Sequence, residues 1–294
     1  SQRKFMTVRL GLILLLALIS VSSTSLVIQY VSSVPTLVLA FWRLFTASGM
    51  MWGYTSFNHP QDKLSSLQIK RIFIAGLFLG CHFACFFLAV RHTSIANATL
   101  FGCMAPVFTV IISIFQKRKF SKMIYIGLAF ALLGAAIIQL NEFSLTSDSI
   151  FGNSIALLGA FFIAVVFVIA EKIRLDTDNI IYGRLLFLIA SIALFGITVM
   201  AGESIFNFKL EHIPWFIFLG LVPTILGHNL FNYAVKYVSP TTIASIPLGE
   251  PIIASFFGYL LFQEGIPGAA FIGGPFILLG IYMIINFQKT KVFD

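Results

Sequence analysis

Runs of about twenty apolar residues follow one another along almost the whole chain, separated only by short polar joints, and that alternation leaves few folds open. Lipid offers no partner for backbone N–H and C=O groups, so a run that crosses a hydrocarbon core of about 30 Å must satisfy its own hydrogen bonds as a helix. The runs fall at 9–29, 36–56, 70–89, 94–115, 122–140, 151–171, 180–200, 213–235, 240–262 and 268–287. The fold class expected is therefore all-α: a polytopic membrane protein of ten transmembrane helices. Composition agrees, because a chain that is 59% hydrophobic and 10% charged has too little polar surface to close a water-soluble globule.

A net charge of +8 raises the question of nucleic acid, but the basic residues lie in clusters between spans and not on one face, so no nucleic-acid partner is expected and the lipid bilayer is. Cytoplasmic joints retain Lys and Arg during insertion. With the first helix entering from the cytoplasm, sixteen Lys and Arg fall on that side, Arg91 and Lys209 fall opposite, and Arg43 lies within a span. The bias predicts a multi-pass protein of the inner (cytoplasmic) membrane with both termini cytoplasmic. The first run, Leu10 to Ile28 after Arg3, Lys4 and Arg9, has the layout of a signal peptide without its cleavage site, and reads as a retained helix. Cys81, Cys85 and Cys103 all sit inside apolar runs, so neither a disulfide frame nor a metal site is expected.

The chain also repeats. At an offset of 145 residues, Ala89-Val90-Arg91-His92-Thr93-Ser94 lies on Ala234-Val235-Lys236-Tyr237-Val238-Ser239, and Pro106 lies on Pro251. Arg43 and Arg184 take similar places in the second and seventh spans, as do His82 and His228 in the third and eighth. This divides the chain into a first repeat over 1–141, a linker over 142–149 and a second repeat over 150–294. Five helices per repeat invert the second copy, the arrangement typical of secondary transporters.

These residues resemble the drug/metabolite transporter superfamily, and within it the EamA-type family of ten-helix transporters. The resemblance rests on Leu37-Val38-Leu39-Ala40-Phe41-Trp42-Arg43-Leu44-Phe45, on Leu88 to Ser94 with Ala96 and Pro106-Val107-Phe108, and on Gly152-Asn153-Ser154-Ile155-Ala156-Leu157. In the second half it rests on Tyr233 to Ser239 and on Pro251-Ile252-Ile253-Ala254 with Glu264. Two departures stand out: Arg118 occupies the place where the family often ends helix four with Glu, and helix one carries Ser20-Val21-Ser22-Ser23-Thr24-Ser25 in place of a Trp-containing pair.

Polar side chains at membrane depth are costly unless they meet protein or water, which makes them the candidates for function. Glu250, between Pro247 and Pro251, would exchange a proton or pair with a cationic solute, or would serve as a protonated interhelical link. His228, Asn229, Asn232 and Tyr233 form two adjacent helical stripes able to hydrogen-bond a polar substrate or a neighbouring helix. Ser22, Ser23, His82 and Asn97, with Thr99 beside it, complete the substrate-binding set, while Glu250, His228, Arg43 and Arg184 are the coupling or gate set. No nucleotide loop, metal-ligand spacing or nucleophile elbow is present, so neither enzymatic activity nor a cofactor is expected. The leading expectation is a secondary transporter of a small polar or amphipathic metabolite, such as an amino acid, working outward by alternating access, with proton coupling as a further element and a monomer or homodimer as the assembly. The alternatives are an obligate exchanger of a larger charged metabolite, for instance a nucleotide-linked solute or S-adenosylmethionine, and, further off, a membrane-embedded enzyme or receptor.

Overall fold

The structure, a computed structural model, describes residues 2–58, 63–140, 146–263 and 265–288. Glu264, Lys289, Lys291, positions 142–145 of the expected linker and the side chains of Arg3 and Lys4 lie outside the described residues. The described residues form helices and no strand. In chain order the helices are α1 (Gln2–Tyr30), α2 (Thr36–Asn58), α3 (Ser66–His92), α4 (Ile95–Phe115), α5 (Lys122–Gln139), α6 (Ser147–Ile173), α7 (Asn179–Met200), α8 (Leu210–Ala234), α9 (240–262) and α10 (Gly268–Phe287). Among the described residues nine of these are long and apolar enough to cross a membrane. The tenth, α2, carries Trp42, Arg43 and Trp52 and packs along α7 and against α8. The chain is a multi-pass membrane protein.

At six of the re-entries a side chain caps the helix, which satisfies amides that a helix start leaves orphaned. Ser65 and Gln68 form a reciprocal capping box before α3, Ser94 caps α4, Ser121 α5, Thr146 α6, Asp178 α7 and Ser239 α9. The end of α4 closes as a Schellman turn: Lys117 takes φ 57° while Arg118 N donates to Ser113 O at 2.9 Å. Gln263 takes the same left-handed turn at the end of α9, with φ 54°.

Helix association in lipid gains little from hydrophobicity and depends on close packing, so small residues mark the seams. Along α5, Gly127 and Gly134 lie against Gly280 and Gly273 of α10 with no side chain between, and a Cβ at any of the four would collide with facing backbone. Gly159 of α6 lets α3 approach in the same way, beside Cys85 and His82.

Three helices are not regular. α4 is two pieces, Ile95–Gly102 and Ala105–Phe115, with Pro106 in the first turn of the second. α9 runs as Pro240–Ser245, a tight 3₁₀ stretch Ile246–Gly249 holding Pro247, and Glu250–Phe262 with Pro251 in its first turn. α8 contains a wide π-helical stretch, Gly220–His228, around Pro223. Proline has no N–H to give and clashes with the preceding turn, which accounts for each break. The freed Leu219 carbonyl is taken by the Thr224 hydroxyl at 2.8 Å.

Candidate functional site

The breaks in α4 and α9 meet near the middle of the bundle, where Cys103 Sγ lies 3.4 Å from Pro247 O. Around them are two cavities. The deeper one, of about 80 Å³, is walled by Arg43, His82, Phe83, Cys103, His228 and Glu250 among others. The wider one, of about 500 Å³, has a polar wall from Ser22, Ser25, Gln29, Ser94, Gln139 and Ser255. It lies by the C-terminal ends of α1, α5 and α9 and the start of α4, on the face opposite the basic joints. Thr99 and Glu250 line both cavities.

Arg43 holds a cation in the core at 2% exposure. A guanidinium so placed must find donors' partners, and the irregular stretch of α8 supplies them. Its Nε donates to Thr224 Oγ1 at 2.9 Å, one terminal nitrogen to Pro223 O at 3.2 Å and the other to Thr24 Oγ1 at 3.3 Å. The guanidinium carbon also lies 4.4 Å from the centre of the Phe83 ring. Glu250 lines the same pocket as Arg43, and among the described residues no hydrogen bond or ion pair ties its carboxyl down.

His82 Nδ1 is 2.8 Å from the Gly159 carbonyl oxygen, which can only accept, so Nδ1 donates. The His82 and His228 rings stand 6.2 Å apart, each about 5 Å from Phe83.

Of the residues the sequence singles out, Ser22, His82, Thr99, His228, Glu250 and Arg43 line these cavities. Ser23 does not, and its hydroxyl donates to Ser20 O at 2.6 Å. Asn97 is buried at the start of α4, donating to Thr93 Oγ1 at 3.3 Å. Asn229, Asn232 and Tyr233 lie further along α8, where backbone and not side chain does the linking: Asn179 Nδ2 donates to Asn229 O at 3.0 Å and Arg174 Nε to Asn232 O at 3.1 Å. Tyr233 packs its ring on Tyr237. Arg184 donates to Thr55 Oγ1 at 2.8 Å and lies over Trp52 at 3.9 Å, joining α7 to α2 away from both cavities.

The Arg174 and Asn179 contacts tie α6 and α7 to α8 in a polar plug on the basic face, and the ion pair of Arg118 and Glu171, at 2.8 Å, joins the end of α4 to α6 there. Burial lowers the basicity of Arg174 in this plug, and Asp178 opposes the effect. The sequence reading did not single out Thr224, Pro223, Phe83 or Gln139. A Pro-Thr pair inside a span, opposite an embedded Arg, was the available signal.

A helical membrane bundle with a polar cavity set against a pocket walled by a buried Arg and a Glu is the architecture of a transporter. The chain is a member of the EamA-like transporter family, whose model matches residues 9–140 and 150–286. It is 29% identical to an uncharacterized transporter of Archaeoglobus fulgidus over 67% of this chain and 70% of that one. It is 24% identical to the pseudopaline exporter CntI of Pseudomonas aeruginosa over 91% of each. A solved crystal structure 14% identical superposes with a TM-score of 0.77, covering 94% of this chain and 97% of the other, and shares the fold.

Proposed function

We propose that this chain is a secondary transporter that moves a small polar or amphipathic metabolite, an amino acid or related compound, outward across the cytoplasmic membrane by alternating access between two inverted five-helix halves. The observation that carries the reading is a wide polar cavity set against a deep pocket with which it shares Thr99 and Glu250, with polar cross-links between helices on the basic face. An outward-open carrier has this form, with the basic joints and both termini on the cytoplasmic side. The pseudopaline exporter among the relatives supports the outward direction. Glu250, untied and at the point where the cavities meet, is the group for proton coupling, with His228 beside the same pocket.

Proteoliposomes containing the purified protein test it, with a panel of labelled amino acids and amines followed in both directions, with and without a pH gradient. Flux of at least one compound, driven by its gradient or by the pH gradient, is expected. Absence of flux across the panel in either direction refutes the proposal. The cavity of about 500 Å³ also has room for a larger charged metabolite, and uptake that depends on substrate preloaded on the far side would move the reading to an obligate exchanger.

A further inference from the structure

Two cavities share Thr99 and Glu250 in their walls, so these two side chains stand where the cavities adjoin. Thr99 stands on the first piece of α4 and Glu250 opens the last piece of α9, so the junction lies where the two broken helices face each other. We infer that Thr99 and Glu250 form a selective neck, which passes a slim neutral or cationic group into the deep pocket and turns anions away. This inference rests on the proposed transport function for its biological meaning, and it identifies the leading end of the substrate as an amine or an uncharged group.

The charges on the page favour that sign. Arg43 is the one cation lining the deep pocket among the described residues, and it is already occupied by Thr224, Thr24, Pro223 O and the Phe83 face. Glu250 is the one acidic side chain lining either cavity among the described residues. Seen from the wide cavity, Glu250 comes first, because it lines that cavity and Arg43 does not. An arriving anion therefore meets a carboxylate before it can feel the guanidinium, whereas an arriving amine meets a partner with no hydrogen bond to break. The volumes make the same division. About 80 Å³ holds a headgroup or a short side chain, and about 500 Å³ holds the rest of the molecule. Phe83, Phe86, Phe167 and Phe231 in the deep pocket offer ring faces to an amine or an apolar end.

Cys103 provides a native reporter, since it lies one turn beyond Thr99 and lines only the deep pocket. With Cys81→Ser and Cys85→Ser it is the sole thiol of the three. In lipid nanodiscs at alkaline pH, its modification by a trimethylammonium-ethyl methanethiosulfonate and by a sulfonatoethyl methanethiosulfonate is followed by intact mass. Both rates are normalised to those at Ser25→Cys, a wide-cavity position, in a chain without native cysteines. The cationic reagent is expected to be favoured about tenfold at Cys103, with the ratio falling toward one in Glu250→Gln. Thr99→Trp should slow both reagents by at least about tenfold while leaving Ser25→Cys unchanged.

A normalised ratio near one, a ratio unmoved by Glu250→Gln, or undiminished labelling in Thr99→Trp overturns the neck. So does a Cys103 that neither reagent reaches when Ser25→Cys reacts fully. Labelling reads access and not flux, so a failed transport assay alongside these results would discard the carrier and leave the neck standing.

Discussion

The breaks in α4 and α9 are built alike and equipped differently. In each, a helix stops near the centre of the bundle and restarts with proline in its first turn, Pro106 in one and Pro251 in the other, and both breaks line the deep pocket. The residue before the proline is Ala105 in α4 and Glu250 in α9. Their far ends differ too: α4 is followed by Arg118, paired to Glu171, whereas α9 carries its described charge at the centre. The lesson is that backbone discontinuity is common scaffold, while charge is placed once. The acid at the centre comes from the second half and its opposing cation, Arg43, from the first.

The comparison yields predictions of decreasing size. Glu250→Ala should reduce flux at least about tenfold, and adding Ala105→Glu should not restore it, because the carboxyl would then sit on the wrong side of the pocket. Restored flux in the double variant would mean that only the presence of the acid matters. Arg118→Ala removes the ion pair with Glu171, which has 5% side-chain exposure, and should weaken the plug by about 1–3 kcal/mol. The check is faster thiol labelling of a cysteine placed at Thr177, with Arg118→Glu/Glu171→Arg returning the rate toward that of the parent.

Pro251→Ala should lower stability by only about 0.4–1 kcal/mol through the unfolded state, yet slow turnover more than Pro106→Ala does, because only Pro251 fixes a charged neighbour. Parallel thermal melts and flux measurements separate the two effects. Smallest of all, Cys103→Ala removes a weak S–H donor to Pro247 O and should shift stability by less than about 1 kcal/mol. A larger drop in the melting transition would show that the two breaks support each other.

How much of this was legible in the sequence depends on whether neighbours or the chain itself decide the geometry. The ten spans were readable because lipid imposes length and apolarity on each: α10 was expected at 268–287 and lies at Gly268–Phe287, and α5 was expected at 122–140 and lies at Lys122–Gln139. Where the boundaries moved, polar caps extended a helix beyond its apolar run. The expected start at 70 became Ser66 through the Ser65/Gln68 box, and the expected start at 151 became Ser147 through Thr146.

The site was legible only in part. Arg43, His82, His228 and Glu250 were found as polar residues at depth, and they do line the deep pocket. The expected stripe of His228, Asn229, Asn232 and Tyr233 assumed uniform α-helical spacing. In the structure Asn229–Ala234, after the π-helical stretch, is α-helical; His228 lines the deep pocket, and Asn229 and Asn232 accept through their backbone carbonyls from Asn179 and Arg174. The choice of π over α depends on Pro223, Thr224 and the distant Arg43 together, which no local pattern encodes.

The seam of α5 and α10 has a mechanical meaning. Gly127, Gly134, Gly273 and Gly280 put two backbones in direct touch, so neither rod can roll or slip against the other without its peptide groups colliding. In the proposed cycle this pair is the stationary post of the molecule, and the swing that exposes the pocket to the cytoplasm falls to the helices that pivot around it.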